Sequence, residues 1–510
     1  MKAFLMHRDQ DLNLQADLPP NAAALIQDLE LNTLFEAMAR GDKLLFDVAK
    51  KVVLFSLKDP KAIAYREGIL SDCLEHAAVV REIYELVVQA IEGERKNRSW
   101  GYGKSPELIL YRAVQALELF VGTLNRLRQL AEEHGGQFRS EGFVRFFAML
   151  AQELDDEYLR VVQEHLSQLR FRDGILMSAE LGKGNRGVDY ILRRPLNERR
   201  SWLKRIFGKD RSTYSFEIDG RDESGHQALS ELRERGINLV ANALAQSADH
   251  ILSFFMMLRT ELGFYVGCLN LHEQLVLKGE PICFPVPLAS DSAALSAQGL
   301  YDVCLALRLE TRVVGNDLAA DNKVLLIITG ANQGGKSTFL RSVGLSYVMM
   351  QCGMFVPAER FSASLCSAIF THYKREEDAT MKKGKLDEEL SRMSEIADHF
   401  GPGCILLCNE SFSSTNEREG SEIARQVIST LLEAGIRVFL VTHLFELAQG
   451  FYRKRMDAAL FLRAERQIDG RRTFRIVEGE PLPTSYGQDL YKEIFGRDGQ
   501  PAAVPLDTQL

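Results

Sequence analysis

The stretch from Ile328 to Leu340, ITGANQGGKSTFL, restricts the fold of this 510-residue chain more than any other. Gly330 to Ser337 fits the spacing G-x-x-x-x-G-K-[ST], after the apolar run VLLIIT and before a segment that reads as helix. Such a loop works only between a buried strand and a helix N-terminus, where its backbone N–H groups converge on phosphate. Two further apolar runs, Cys404 to Cys408 and Val438 to Thr442, alternate with helical segments from Glu419 and Leu444. Short apolar strands alternating with helices predict a nucleotide-binding α/β domain with a buried parallel sheet.

Each polar residue around this loop has an expected task. Gly330, Ala331, Asn332, Gln333, Gly334 and Gly335 shape the cradle, Lys336 brings positive charge to the β- and γ-phosphates, and Ser337 and Thr338 follow at the helix start. The Ser337 hydroxyl is expected to ligate Mg²⁺. In ILLCNESFSSTNEREG, Glu410 stands where a carboxylate can orient or deprotonate an attacking water. Asn409 occupies the place before it where most phosphate-loop ATPases carry Asp, so it would reach the metal only through water, without charge, and hold it more weakly. His443, in VTHLFEL, is expected to contact the γ-phosphate.

Before Asn316 the chain reads differently. From Ala22 to Leu169 it is almost wholly helical, with one apolar run through Phe143, Phe147, Leu150, Leu154, Tyr158, Val161 and Leu169. A second run, Val240, Leu244, Ala248, Ile251, Phe255, Leu258, Leu262, Tyr265 and Leu269, predicts one long helical rod, although a bundle core explains the same stripe. Between the two lie GILMSAEL and RGVDYILRR, flanking Gly182-Lys183-Gly184-Asn185, and then STYSFEI, a pattern of short strands. The net charge of −8 does not advertise nucleic acid, but Arg170 to Arg211 holds twelve basic residues against five acidic ones. Lys183, Arg186, Arg193, Arg194, Arg199 and Arg200 are therefore candidate phosphate contacts on this β-rich module. No uninterrupted apolar run approaches the roughly 18 residues of a spanning helix, and Met1 to Gln15 is mixed and polar. A soluble cytoplasmic protein without membrane contact is expected. The eight cysteines form no CxxC pair and read as reduced core thiols.

These residues together resemble the MutS family of DNA mismatch-repair ATPases. GANQGGKST is similar to the family's GPNMGGKST loop, with Asn332 kept and Ala331 and Gln333 altered. Phe355-Val356-Pro357-Ala358, the Glu410 motif ending in Gly420, the VTH ending at His443, and Ser485-Tyr486-Gly487 follow in the family's order. The resemblance implies a multidomain α + α/β protein: a helical core with long lever helices and a small β-rich DNA clamp, then a P-loop (ABC-type) ATPase domain. The expected divisions are a tail over 1–21, a core and first lever over 22–170, and the clamp over 171–227. A second lever and connector over 228–315 and the ATPase domain over 316–510 complete them. It also implies a homodimer, ATP and Mg²⁺ as ligands, double-stranded or branched DNA as partner, and Asn316 and Asp317 near the adenine. The expected activity is DNA-dependent ATP hydrolysis in repair or recombination.

Three departures qualify the resemblance. The family's mismatch-reading domain carries a Phe-x-Glu motif that occurs nowhere in these residues, so weak discrimination of single mismatches is expected. Where the family has a Ser-rich stretch, Met381 to Leu390 reads MKKGKLDEEL, and no sequence corresponds to the nuclease module of the recombination-suppressing paralogues. The competing reading is a nucleotide-gated scaffold that scarcely hydrolyses ATP and acts on RNA or a protein partner. Steady-state ATPase with and without DNA separates the two.

Overall fold

Several helix starts in the computed structural model coincide with residues whose side chains satisfy first-turn N–H groups. The structure describes residues 1–99, 105–171, 174–193, 215–290, 292–375, 384–467 and 471–482, with short strands at Gly496–Arg497 and Gln500–Pro501. The first helices are α1 (Ala22–Asp28), α2 (Leu31–Ala39), α3 (Lys43–Leu54), α4 (Pro60–Glu75), α5 (Ala77–Ser99), α6 (Pro106–His134), α7 (Glu141–Glu153) and α8 (Asp156–Gln168). Asp42 caps α3, Asp59 with Pro60 starts α4, and Ser105 with Pro106 starts α6. The hairpin β1 (Leu176–Leu181) and β2 (Gly187–Arg193) precedes α9 (Glu223–Leu277), a single helix of 55 residues.

The remaining elements mix strands and helices. They run β3 (Val286–Leu288), β4 (Leu295–Leu300), α10 (Val303–Arg308), β5 (Asn316–Ala319), β6 (Leu325–Gly330), α11 (Lys336–Gln351), β7 (Arg360–Ser364), β8 (Ile369–Tyr373) and α12 (Lys385–Ala397). Then follow β9 (Ile405–Asn409), α13 (Glu417–Glu433), β10 (Arg437–Val441), α14 (Phe445–Arg453), β11 (Ala459–Arg466) and β12 (Arg472–Glu478). The architecture is mixed, helical and α/β, with several sheets.

Contacts divide the chain into two units. One comprises Met1–Ala3, Ala78–Phe138 and Phe143–Arg259. It is helical apart from the hairpin, with Leu110, Val114, Leu117, Val121 and Leu124 forming the buried stripe of α6 and Phe120 meeting Phe255 edge-on at 5.3 Å. The run from Phe143 to Leu169 is two helices rather than one. Asp155 accepts a hydrogen bond from the Tyr158 N–H and so starts α8 where the apolar spacing alone suggested continuity. The described part of STYSFEI, residues 215–218, forms no strand, and Phe216 is 82 % exposed.

The other unit comprises Phe4–Ala77, Arg139–Gly142 and Thr260–Leu510. Its six-stranded sheet has the order β12-β11-β6-β10-β9-β8, all parallel except β12. β6, β9 and β10 are buried on both faces, which explains their unbroken apolar sequences. A smaller mixed sheet has the order β3-β7-β4-β5. The segment before α1, expected as a tail, is partly inside: Leu5 and Met6 are buried, and the Leu5 N–H donates to the Glu261 carboxylate at 2.8 Å. Helix α9 is long and apolar enough to cross a membrane by length and composition, yet 61 % of its apolar window is buried within the protein.

Candidate functional site

β6 is one of the two central strands of the larger sheet, between β11 and β10, and ends in the loop Ala331–Gly335 that leads directly into α11. Three glycines make this turn possible. Gly330 has φ 107° and Gly335 φ 88°, both in the left-handed region that costs an L-residue about 1–2 kcal/mol. A Cβ on Gly334 would stand 2.6 Å from the Ala464 Cβ and 2.9 Å from the Ala331 carbonyl oxygen. Gly335 caps α11 without a side chain, so the first-turn N–H groups keep their capacity for an anion.

Lys336 is the first residue of that helix and is buried. Its Nζ donates to the Gly330 carbonyl at 3.0 Å and the Ala331 carbonyl at 2.8 Å, folding the ammonium back under the loop. Burial pulls its pKa down to about 8; Glu410 opposes that fall and Arg472 adds to it. The Ser337 hydroxyl donates to Asn409 Oδ1 at 2.9 Å, which joins the helix start to the end of β9. These two side chains form a small oxygen-bearing pair. Among the described residues no cluster of three His, Cys, Asp or Glu side chains forms a metal cage.

Glu410 follows β9 at once, and parallel pairing of β9 with β10 brings it to His443, two residues past the end of β10. His443 Nε2 donates to Glu410 Oε1 at 2.8 Å. That hydrogen bond, outweighing partial burial and helped by Lys374 and Lys336, holds the Glu410 carboxyl below its usual range. Glu410 has φ 56° and Phe412 φ 61°, so two residues within three carry left-handed strain of about 1–3 kcal/mol each. The Glu410 N–H donates to Val441 O at 2.9 Å and Ser413 Oγ to Glu410 O at 2.8 Å, which offsets part of it.

A cavity of about 390 Å³ opens beside Gln333, Gly335 and Thr338. Asn316 and Phe474 line it, with Tyr301 and Val314. Asn316 is buried, with Oδ1 accepting from the Ile476 N–H at 2.7 Å and Nδ2 donating to Phe474 O at 3.3 Å. Asp317 does not face this cavity. Neighbouring residues of a strand point to opposite faces, and Asp317 Oδ1 accepts from the Gly299 N–H at 2.8 Å beside a separate polar hollow. Sequence reasoning missed Phe474 and Arg472, whose Nε donates to Asn332 O at 3.0 Å. The only signal in the sequence is the β-prone run RTFRIV, which does not itself indicate a partner strand.

In the other unit the predicted turn does join two strands: β1 and β2 pair antiparallel, and the Gly182 N–H donates to Arg186 O at 2.8 Å. Lys183, Arg186 and Arg193 are all exposed on this hairpin, with Arg193 Nε donating to Ser178 Oγ at 2.8 Å. Arg194, Arg199 and Arg200 lie outside the described residues, as do Met381–Lys383 and Ser485-Tyr486-Gly487.

Comparison with known proteins agrees with the motifs. Residues 58–277 match the family described as the MutS2 N-terminal domain, and residues 326–495 match MutS domain V. The chain is 26% identical over 434 residues to the DNA mismatch repair protein MutS of Shouchella clausii, covering 77% of this chain and 49% of that protein. It is 26% identical over 246 residues to MutS protein homolog 4 of Mus musculus, covering 47% and 25%. Over 139 residues it is 37% identical to the DNA mismatch repair protein MutS of Desulforamulus reducens, covering 27% and 16%. The chain spans about half or less of the length of these relatives.

Proposed function

Because the chain belongs to the MutS family, we propose that it is an ATP-hydrolysing, DNA-binding protein whose nucleotide site is the P-loop from Gly330 to Thr338. The observation that carries this reading is Lys336, a buried ammonium held beneath a left-handed glycine loop and coupled to the Glu410 carboxylate. The loop bonds this charge to its own carbonyls, which phosphate oxygens would replace as stronger, charge-assisted partners. The backbone of Gly330, Ala331, Asn332, Gln333, Gly334 and Gly335 and the hydroxyls of Ser337 and Thr338 complete the phosphate side. Asn316 and Phe474 border the base. Glu410 orients the attacking water through the carboxylate oxygen that His443 does not engage, and His443 reports the γ-phosphate. The test is equilibrium binding of ATP and ADP with steady-state hydrolysis, with and without DNA; no nucleotide binding would end the reading.

Ser337 and Asn409 fit a site for Mg²⁺ held mainly by phosphate, since they converge at 2.9 Å and neither brings a charge. The ion would neutralise charge on the β- and γ-oxygens. Asn409→Asp should therefore tighten it, because an Asp oxygen accepts the same Ser337 hydrogen bond and adds a full charge. A unit charge about 4 Å away is worth at least about 1 kcal/mol even in water, so the Mg²⁺ midpoint of ATP turnover should fall roughly fivefold or more. An unmoved midpoint would separate Asn409 from the metal.

The exposed basic hairpin supports a DNA contact through phosphate, the family supports a homodimer, and the missing Phe-x-Glu motif points to branched or distorted duplexes rather than single mismatches. Replacing Arg193, Arg194, Arg199 and Arg200 with Ala should weaken duplex binding and flatten its salt dependence. Each lost phosphate contact lowers the log–log slope by roughly 0.9. Equal slopes before and after would mean that these arginines face solvent in the complex.

A further inference from the structure

Resting on that reading, we propose that His372 and Glu389 are positioning residues that hold Glu410 in line for hydrolysis, acting through Ser411 and Ser414. His372 stands in no motif that the sequence singles out, and Glu389 lies in the stretch Met381 to Leu390 that departs from the family's Ser-rich segment. His372 lies on β8, opposite Cys408 in the parallel register with β9, and is fully buried. Glu389 lies on α12 and is 2 % exposed. Both reach the strained turn that begins at Glu410.

The hydrogen bonds define the arrangement closely. The Glu389 backbone carbonyl can only accept, so the His372 Nε2, 3.0 Å away, carries a proton and donates it. Burial and the nearby Arg392 keep the ring neutral, with a pKa of about 4, so Nδ1 is left as an acceptor. The Ser411 hydroxyl lies 2.7 Å from that Nδ1 and 2.7 Å from the His372 carbonyl oxygen, and can serve either with its one proton. The His372 ring also stacks on Phe412, with centroids 5.5 Å apart and planes 24° from parallel. The residues after Glu410 are thus gripped by one histidine through both a hydroxyl and a ring face.

Glu389 closes the other side. Its Oε1 accepts from Ser414 Oγ at 2.7 Å, while Oε2 is buried without a hydrogen-bond partner among the described residues. Burying a carboxylate oxygen is costly, and its partnered neighbour anchors the turn through Ser414. The start of α13 presses on the same turn: a Cβ on Gly420 would stand 2.4 Å from the Phe412 carbonyl oxygen. Since Glu410 and Phe412 both adopt left-handed backbone, removal of the grip should let the turn relax and carry the Glu410 carboxylate away from its working position. The phosphate loop is not part of this network, so nucleotide affinity should be spared.

The experiment compares wild type, Glu389→Ala, Glu389→Gln, Ser414→Ala and Glu410→Gln in ATP turnover, ATP affinity and amide hydrogen exchange. Ser414→Ala removes one atom from a half-buried site and guards against loss of the fold. Glu389→Ala and Ser414→Ala should lower kcat about tenfold or more, since small misplacement of a reacting group is expensive, with KM and ATP affinity changed by less than about twofold. Glu389→Gln, which keeps an acceptor for Ser414, should stay within about threefold of wild type. Exchange should quicken at Ser411–Ser414 and not at Gly334–Ser337. A wild type that hydrolyses ATP with Glu389→Ala and Ser414→Ala equal to it overturns the positioning role. A wild type no more active than Glu410→Gln sinks the hydrolytic reading instead; exchange then decides the grip, unchanged protection at Ser411–Ser414 overturning it.

Discussion

Lys336→Ala lowers ATP affinity by roughly 150-fold or more, an expected loss of about 3 kcal/mol, the upper end for hydrogen bonds to a charged group. The side chain is buried and sits where the loop's carbonyls converge, so no neighbour can substitute for it. Folding should survive, because water can reach the Gly330 and Ala331 carbonyls once the side chain is gone; an unchanged far-UV spectrum checks this. The depressed pKa, about 8, adds a signature in pH. Phosphate favours the protonated amine, so below pH 8 affinity does not change with pH through this group. Above it the free protein must take up a proton to bind, and affinity falls by up to about tenfold per pH unit. Lys336→Arg should remove that fall because guanidinium stays charged. Isothermal titration between pH 7 and 9.5 measures both effects, and a flat wild-type profile would show that Lys336 does not meet the phosphates.

How much of this was legible follows from the kind of signal each part carries. β6, β9 and β10 are buried on both faces, so their apolar runs stand out, and the observed strands begin and end within a residue of the expected ones. β8 reads Ile-Phe-Thr-His-Tyr, and its buried Thr371 and His372 disguise it as a polar segment. The strands β3, β4, β5 and β7 are short and bear serines, glutamine and proline, so their pairing is a tertiary property with little local trace. The division at Asp155 was readable as a cap but was masked by the apolar spacing around it. At the candidate site, the loop glycines and Lys336 stood out because their local geometry and sequence spacing coincide. Asn316 and Asp317 are neighbours in sequence, and strand alternation turns them to opposite faces. Phe474 and Arg472 arrive from more than 130 residues downstream, through the pairing of β11 with β6 and of β12 with β11.

Glu410→Gln is expected to bind ATP at least as tightly as wild type and to turn it over about 100- to 10,000-fold more slowly, the range that loss of a positioned general base produces. The amide keeps the shape of the carboxylate and can still accept the His443 hydrogen bond, so the strained turn has no reason to rearrange. What disappears is a negative charge. That charge stands near enough to Lys336 to raise its pKa, and therefore near the phosphates that Lys336 would hold, so its removal relieves repulsion in the ATP-bound state. Binding and hydrolysis should consequently move in opposite directions. His443 separates positioning from base strength: it is the first cause of the lowered Glu410 pKa, so His443→Ala should raise that pKa. A carboxylate with a lowered pKa stays ionised until the pH falls below its usual range; in His443→Ala the acid limb of kcat should therefore shift to higher pH. Rapid-quench measurement of one turnover, beside filter trapping of bound ATP, distinguishes a stalled complex from an empty one. Wild-type rates in Glu410→Gln would remove Glu410 from the reaction, and loss of trapped ATP would place it in binding instead.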